Sequence, residues 1–241
     1  FGVKMCRDPS DAEDVLQETL LAAARGIRDF RGASSLSTWL YTVARSFCIK
    51  KRRVSKHAPT ATVSLDDEAN DLQLRAPQKA PDEVAADREL STLLDRAIAE
   101  LDPAHREVLV LRDIEGLTAP EVSEIVGASV EAVKSRLHRA RAELRAKLEE
   151  ARSGAYASPA SADGCPDVVA LFSRFLEGEI GPDECRAMEQ HVGGCSRCNA
   201  ACESLKRTLG ACRAEGQGEL PPHVQAAVRN ALREIAARTG R

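Results

Sequence analysis

Residues 101–148 read LDPAHREVLVLRDIEGLTAPEVSEIVGASVEAVKSRLHRARAELRAKL, and the punctuation of this stretch decides the fold. Asp102-Pro103 is a cap followed by a proline in the first turn, opening a helix through Val108, Leu109 and Leu111. Thr118-Ala119-Pro120-Glu121 is a capping box, in which a Thr hydroxyl and a Glu carboxylate satisfy each other's backbone amides. The short helix it starts stops at Gly127. Ser129 then caps a longer helix whose apolar residues Val133, Leu137, Ala140, Leu144 and Leu148 fall on one stripe. Two helices joined by Gly127-Ala128-Ser129 have the lengths of a helix-turn-helix, whose second helix enters the major groove. The exposed face of that helix offers Glu131, Lys134, Ser135, His138, Arg139 and Ala142, flanked by Arg136, Arg141 and Arg145. Between Val130 and Arg152 stand 7 basic residues against 4 acidic ones, and Arg and Lys suit guanine edges and phosphates alike. The free amides at the Ser129 end suit a phosphate. A plain helical hairpin with a solvated basic face has the same lengths.

Upstream, Leu90, Leu93, Leu94, Ala97 and Leu101 form another apolar stripe. Before it, residues 56–86 mix Pro, Ala, Asp and Gln without a period and read as a linker. The N-terminal block opens with Ser10-Asp11-Ala12-Glu13, a capping-box pattern that starts a helix with Leu16, Leu20, Ala23 and Ile27 toward the core. Asp11, Asp14 and Glu18 share its opposite face. A second helix from about Ser37 buries Leu40, Val43 and Phe47 and runs into Lys50, Lys51, Arg52 and Arg53. Residues 1–58 carry 11 Lys and Arg against 6 Asp and Glu, while 59–100 carry 4 against 10. Two basic blocks on an acidic tether suit two nucleic-acid contacts. Aromatics are 3% of the chain and no β-branched run alternates, so the fold class is all-α, with cores of Leu, Val, Ile and Ala. No apolar run is long enough to span a membrane and no export signal is visible, so a cytoplasmic location is expected.

Eight cysteines without an export signal point to reduced thiols and metal. Residues 152–164 form a second linker, and six of the eight follow it. Cys165 with His191-x3-Cys195-x2-Cys198 supplies three sulfurs and one nitrogen, a closed tetrahedral zinc shell, and Gly193-Gly194 lets the backbone fold round the ion. Cys185 or Cys202 is the replacement if Cys165 is not the fourth ligand. Cys198, Cys202, Leu205, Leu209 and Cys212 share one helix face. Cys185, Cys202 and Cys212 are then either small apolar fillers or a second site, for zinc, copper(I) or cadmium, or for redox chemistry. Cys6 and Cys48 have no partner visible in the sequence.

Residues 101–148, above all VKSRLHRAR at 133–141, resemble region four of the extracytoplasmic-function sigma factors. That resemblance implies contact with the minus-thirty-five element through Glu131, Lys134, Ser135, Arg136 and Arg139, and contact with the polymerase flap. Ser123 stands where the family usually has Ala. DAEDVLQETLLAAARGIRDFRG at 11–32 and STWLYTVARSFCIKKRRV at 37–54 resemble region two of the same family. They imply docking on the clamp helices of the largest polymerase subunit through Asp11, Asp14, Gln17 and Glu18. They also imply capture of the melted minus-ten strand by Trp39, Ser46, Lys50, Lys51, Arg52 and Arg53, an aromatic beside a cationic groove. LFSRFLEGEI at 171–180, with the ligands around it, resembles the zinc-binding anti-sigma domain, here fused in cis as in metal-responsive sigma factors with cysteine-rich tails.

The expected organisation is therefore region two over 1–55, a linker over 56–86, region four over 87–151 and a linker over 152–164. A zinc-binding module over 165–213 and a helical tail over 214–241 follow. The function expected is that of an alternative sigma factor whose partners are RNA polymerase core, promoter DNA and its own C-terminal module, with no membrane. Occlusion of the sigma domains by that module, set by the state of its thiols, is the expected control. A metal-sensing helix-turn-helix regulator acting without polymerase, and a sigma factor with a purely structural zinc domain, are the alternatives. No triad, phosphate loop or open metal site speaks for an enzyme.

Overall fold

The computed structural model describes residues 1–6, 8–57, 81–153 and 165–216, together with 225, 226, 228–230 and 233. Of the expected linkers, 58–80 and 154–164 lie outside the described residues, as does most of the expected tail, whereas 56–57, 81–86 and 152–153 are helical rather than linker. The chain divides into two compact units, Gly2–Val84 with Glu219–Arg241, and Ala85–Gly218.

In the first unit α1 (Gly2–Met5) packs on α2 (Pro9–Gly26), a 3-10 turn follows at Ile27–Asp29, and α3 (Leu36–His57) lies along α2. The cap of α2 is not at Ser10. Asp8 holds it, accepting from the Ser10 amide at 2.8 Å, with a proline in the first turn. An Asp–Pro pair starts a helix as well as a Ser–x–x–Glu box does, and here it comes first in the chain. The buried stripe of α2 is also displaced from Leu16, Leu20, Ala23 and Ile27: Ala12, Val15 and Thr19 face inward, and Ile27 is exposed. Thr19 can do so because its hydroxyl donates to the Val15 carbonyl at 2.6 Å. On α3 the fully buried residues are Thr38 and Cys48, whereas Leu40, Val43 and Phe47 are half-buried.

The second unit takes in α4 (Pro81–Ala99) from Ala85 onward, then α5 (Pro103–Leu109) running into a π-helical turn at Val110–Ile114. Asp102 caps α5 through the Ala104 amide at 2.8 Å. Buried Arg106 donates to the carbonyls of Ala99 and Leu101, which the end of α4 would otherwise leave unpaired. The helix-turn-helix is α6 (Ala119–Val126) and α7 (Val130–Ser153). Both halves of the Thr118/Glu121 box are formed. Gly127 takes φ +67°, the left-handed conformation that a side chain resists, so the chain turns here. Ser123 has a use at this turn: its hydroxyl donates to the Ala128 carbonyl at 2.6 Å. Val108, Leu109, Val122, Val133, Leu137, Ala140 and Leu144 close the core, all essentially inaccessible.

Three further helices complete this unit: α8 (Val168–Leu176), α9 (Pro182–Gly194) and α10 (Ser196–Gly216). Helix α8 lies against α7, and α10 packs on α7, α8, α9 and the π-helical turn. At the end of α10, Gly216 passes so near the Ile114 carbonyl that no β-carbon fits between them. Among the described residues no helix is long and apolar enough to cross a membrane.

Candidate promoter-reading helix and metal centre

Helix α7 presents its N-terminus through Ser129, whose hydroxyl accepts from the Ala132 amide at 3.2 Å. Glu131, Ser135 and Arg139 are exposed, and Arg136 is half-buried. Glu131 is fully exposed and held below the usual carboxylate range, first by its own backbone amide and then by the Ser129 hydroxyl. Lys134 is engaged: its Nζ lies 3.3 Å from Glu179, just beyond α8.

Arg141 departs furthest from the sequence expectation. It was placed at the edge of the exposed face, yet its side chain is 1% exposed. Its guanidinium is shared among three groups. Nε and Nη2 fork onto Asp113 at 2.8 and 2.7 Å, Nη2 also reaches Glu177 at 2.7 Å, and Nη1 donates to the Ser173 hydroxyl at 2.9 Å. Burial alone would lower the Arg141 pKa, but Asp113 and Glu177 hold it above its ordinary value. Glu177 in turn takes Arg112 at 3.2 Å. A buried guanidinium forked onto one carboxylate and shared with a second is held in a single orientation. His138, one turn before Arg141, is half-buried, and its Nδ1 is buried without a partner. Burial first of all lowers its pKa, against the pull of Asp167.

In the first unit the expected contacts pair with one another. Lys51 bridges Asp11 at 3.1 Å and Asp14 at 2.5 Å, which raises its pKa, the Asp14 hydrogen bond leading. Gln17, Glu18, Lys50 and Arg52 are exposed, and the Arg53 side chain lies outside the described residues. Trp39 is half-buried with its ring 5.5 Å from that of Phe30 and its edge over Gly26. Ser46 is exposed and donates to the Val43 carbonyl at 2.7 Å.

The structure gathers Cys165, His191, Cys195 and Cys198, whose ligand atoms all lie within 4.8 Å of one another. Cys165 and Cys195 sulfurs are 3.9 Å apart, and His191 Nε2 is 3.1 Å from the Cys198 sulfur. A zinc ion with sulfurs at about 2.3 Å has tetrahedral edges of about 3.8 Å, so the donor set fits zinc. The Cys195 thiol is pulled below its ordinary value, first by the Cys198 backbone, while burial pushes Cys198 up to about 12. A cation is what makes both thiolates at once, displacing their protons. Cys202 and Cys212 are buried in α10 ten residues apart, about 15 Å along a helix, and so cannot share an ion. Cys202 packs on Val168 and Cys198 behind the site, and burial raises its thiol pKa. Cys185 is half-buried on α9.

Comparison with known proteins follows this geometry. Residues 1–57 match the family described as "Sigma-70 region 2", residues 91–144 "Sigma-70, region 4", and residues 165–199 "Putative zinc-finger". The RNA polymerase sigma factor YlaC of Bacillus subtilis is 33% identical over 141 residues, 58% of this chain and 79% of that one. The ECF RNA polymerase sigma factor SigM of Mycobacterium tuberculosis is 30% identical over 148 residues, 61% of this chain and 69% of that one. A solved structure of CnrH with the cytosolic domain of CnrY is 27% identical, covering 61% of this chain and 77% of that one at a TM-score of 0.43. The family matches and the two sequence relatives define an RNA polymerase sigma factor, a member of the class of transcription initiation factors that partner polymerase core and promoter DNA. The chain belongs to the extracytoplasmic-function group of that family and carries a zinc-finger domain at its cysteine-rich end.

Sequence reasoning missed Asp113, Ser173, Glu177 and Glu179, the partners of Arg141 and Lys134 on α7. No periodicity marks them: Ser173, Glu177 and Glu179 fall within LFSRFLEGEI, and Asp113 within the stretch 101–148.

Proposed function

We propose that the C-terminal zinc module holds the promoter-reading helix of this sigma factor in cis, keeping it from DNA until the module moves. Helix α7 reads the minus-thirty-five element through Glu131, Lys134, Ser135, Arg136 and Arg139 and meets the polymerase flap. The α2 face of Asp11, Asp14, Gln17 and Glu18 docks on the clamp helices. Helix α3 takes the melted minus-ten strand through Trp39, Ser46, Lys50, Lys51, Arg52 and Arg53. Zinc at Cys165, His191, Cys195 and Cys198 folds the module and pins the start of α8, the helix that meets α7.

One observation carries this reading: α8 and its continuation bring Glu177 and Glu179 onto Arg141 and Lys134 of α7. Glu179 occupies Lys134, a cation that phosphate would otherwise draw, while Glu177 seats the module on Arg141, so DNA and module compete for one helix. Differential affinity of the two arrangements for metal or thiol state would make this a switch. The test is promoter-dependent transcription by reconstituted holoenzyme with zinc-loaded full chain. Glu177→Ala combined with Glu179→Ala should raise transcript several-fold at equal core occupancy. Equal output from variant and parent at equal core binding would refute the hold. Output that ignores zinc chelation would leave zinc a folding role only.

A further inference from the structure

Two cysteines without a partner in the sequence meet in the first unit. Cys6 stands just past the end of α1 and Cys48 lies within α3, 42 positions later, and their sulfurs are 4.0 Å apart. Neither belongs to the zinc cluster. Their surroundings differ in a useful way. Cys48 is 2% exposed, whereas Cys6 is half-buried and the more accessible of the two. The pair is also electrically unequal. Hydrogen bonding from Cys48 is the largest influence lowering the Cys6 thiol pKa, with Lys51 helping and burial and Asp11 opposing. The same contact and burial push Cys48 up. A reachable sulfur with thiolate character beside a screened, protonated one is the arrangement of an attacking and a resolving thiol.

We propose that Cys6 and Cys48 are a reversible disulfide site whose oxidant is a hydroperoxide. In the first step the Cys6 thiolate attacks one oxygen of hydrogen peroxide; the O–O bond breaks, an S–O bond forms, and the departing hydroxide takes a proton to become water. In the second, the Cys48 sulfur attacks the Cys6 sulfenic sulfur. The S–O bond breaks, and the leaving oxygen departs as a second water with the Cys48 proton. Two thiols are oxidised and one peroxide is reduced to two waters. The sulfurs must close by about 2 Å to reach bonding distance. Cys6, outside any helix, is the side that moves, while Cys48 is fixed within α3. The bond would tie the chain leading into α2 to the helix that carries Trp39, Ser46 and Lys50, fixing the two helices of the region-two block against each other.

The test uses the full, zinc-loaded chain with every cysteine in place. It is exposed to stoichiometric hydrogen peroxide, alkylated, digested without reductant and read by mass spectrometry. The expected product is one peptide joining Cys6 to Cys48, lighter by two hydrogen atoms than its halves. Two alkylatable thiols should be lost before zinc is released and regained with dithiothreitol. Cys48→Ser should instead leave a Cys6 sulfenic acid that dimedone traps. Should that variant not fold, the parent's crosslink alone decides the matter. Recovery of Cys6 and Cys48 as alkylated thiols after peroxide has emptied the zinc site would overturn the proposal. So would a crosslink from either of them to another cysteine.

Discussion

Within the second unit, the helix-turn-helix and the cysteine-rich module are neighbours built on different terms. The first closes over aliphatic side chains, with Val108, Leu109, Val122, Val133, Leu137 and Leu144 all at 0% exposure. The second builds metal-ligand residues into its packing: Cys165 and Cys195, with Val192 and Ala201, lie against Val168, Cys198 and Cys202. Phe175 stays exposed on α8. A module whose core includes its metal ligands leans on metal, whereas the aliphatic core of region four contains no such group. The difference teaches where a switch can reside: in the part whose fold depends on something that can be removed.

The largest effect should come from attacking the metal centre. Cys198→Ser, or chelation of the parent chain, is expected to melt α8–α10, since structural zinc contributes on the order of 10 kcal/mol to small domains. Hydrogen exchange should show amides of 168–216 losing protection while those of α5–α7 keep theirs. Equal loss in both regions would break the comparison and make the unit a single cooperative body.

Next comes the buried ion pair of region four against which the module's Glu177 is seated. Asp113→Ala leaves Arg141 buried with less than its full set of acceptors, and removing one member of a buried pair costs about 3–5 kcal/mol. Denaturant unfolding should show that loss. Arg141→Met combined with Asp113→Leu should recover most of it, because apolar replacement of both partners is often nearly neutral. A double variant as unstable as the single one would mean that this corner of region four needs its charges and cannot be replaced by apolar packing.

These experiments also mark what was legible in the sequence. The caps of α5 and α6, the Gly127 turn and the core stripe of α7 follow from residues within four positions of each other, and local chemistry sets them. The four residues of the metal cluster were legible because thiols and imidazole at those spacings have few other uses. The N-terminal cap was misplaced by two residues because two valid cap patterns overlap there, Asp8-Pro9 and Ser10 to Glu13. The stripe of α2 was misplaced because a threonine that bonds its own helix behaves as a core residue. The Arg141 cage was not legible at all. Its partners stand 28, 32 and 36 positions away, and an arginine on a DNA-facing helix has no local mark that separates a phosphate contact from a buried pair. Cys6 and Cys48 were hidden for the same reason.

A smaller effect sharpens the claim that region four is self-sufficient. Thr118→Ala removes the hydroxyl from a complete capping box and should cost about 1 kcal/mol in unfolding free energy, as such caps do. The loss should be the same with zinc bound or chelated. A zinc-dependent cost would show that the helix-turn-helix borrows stability from the module.

The smallest effect tests the contact from the other side, through pH. His138 faces Asp167 and Glu179 from the module and Arg139 and Arg141 from its own helix, and burial leads in lowering its pKa. With the folded value below the unfolded one, the unfolded chain gains its proton first as pH falls. The contribution is therefore complete above the ordinary imidazole range, about 6.5, and is lost as pH drops through the folded value. Unfolding midpoints of the parent and of His138→Gln, measured from pH 7.5 down to 5.5, should converge as the parent loses its advantage. The half-buried ring and the nearby carboxylates keep the change below that of the Thr118 cap. Curves that run parallel across this range would mean that α8 does not desolvate His138 in solution, and that the module spends its time away from α7.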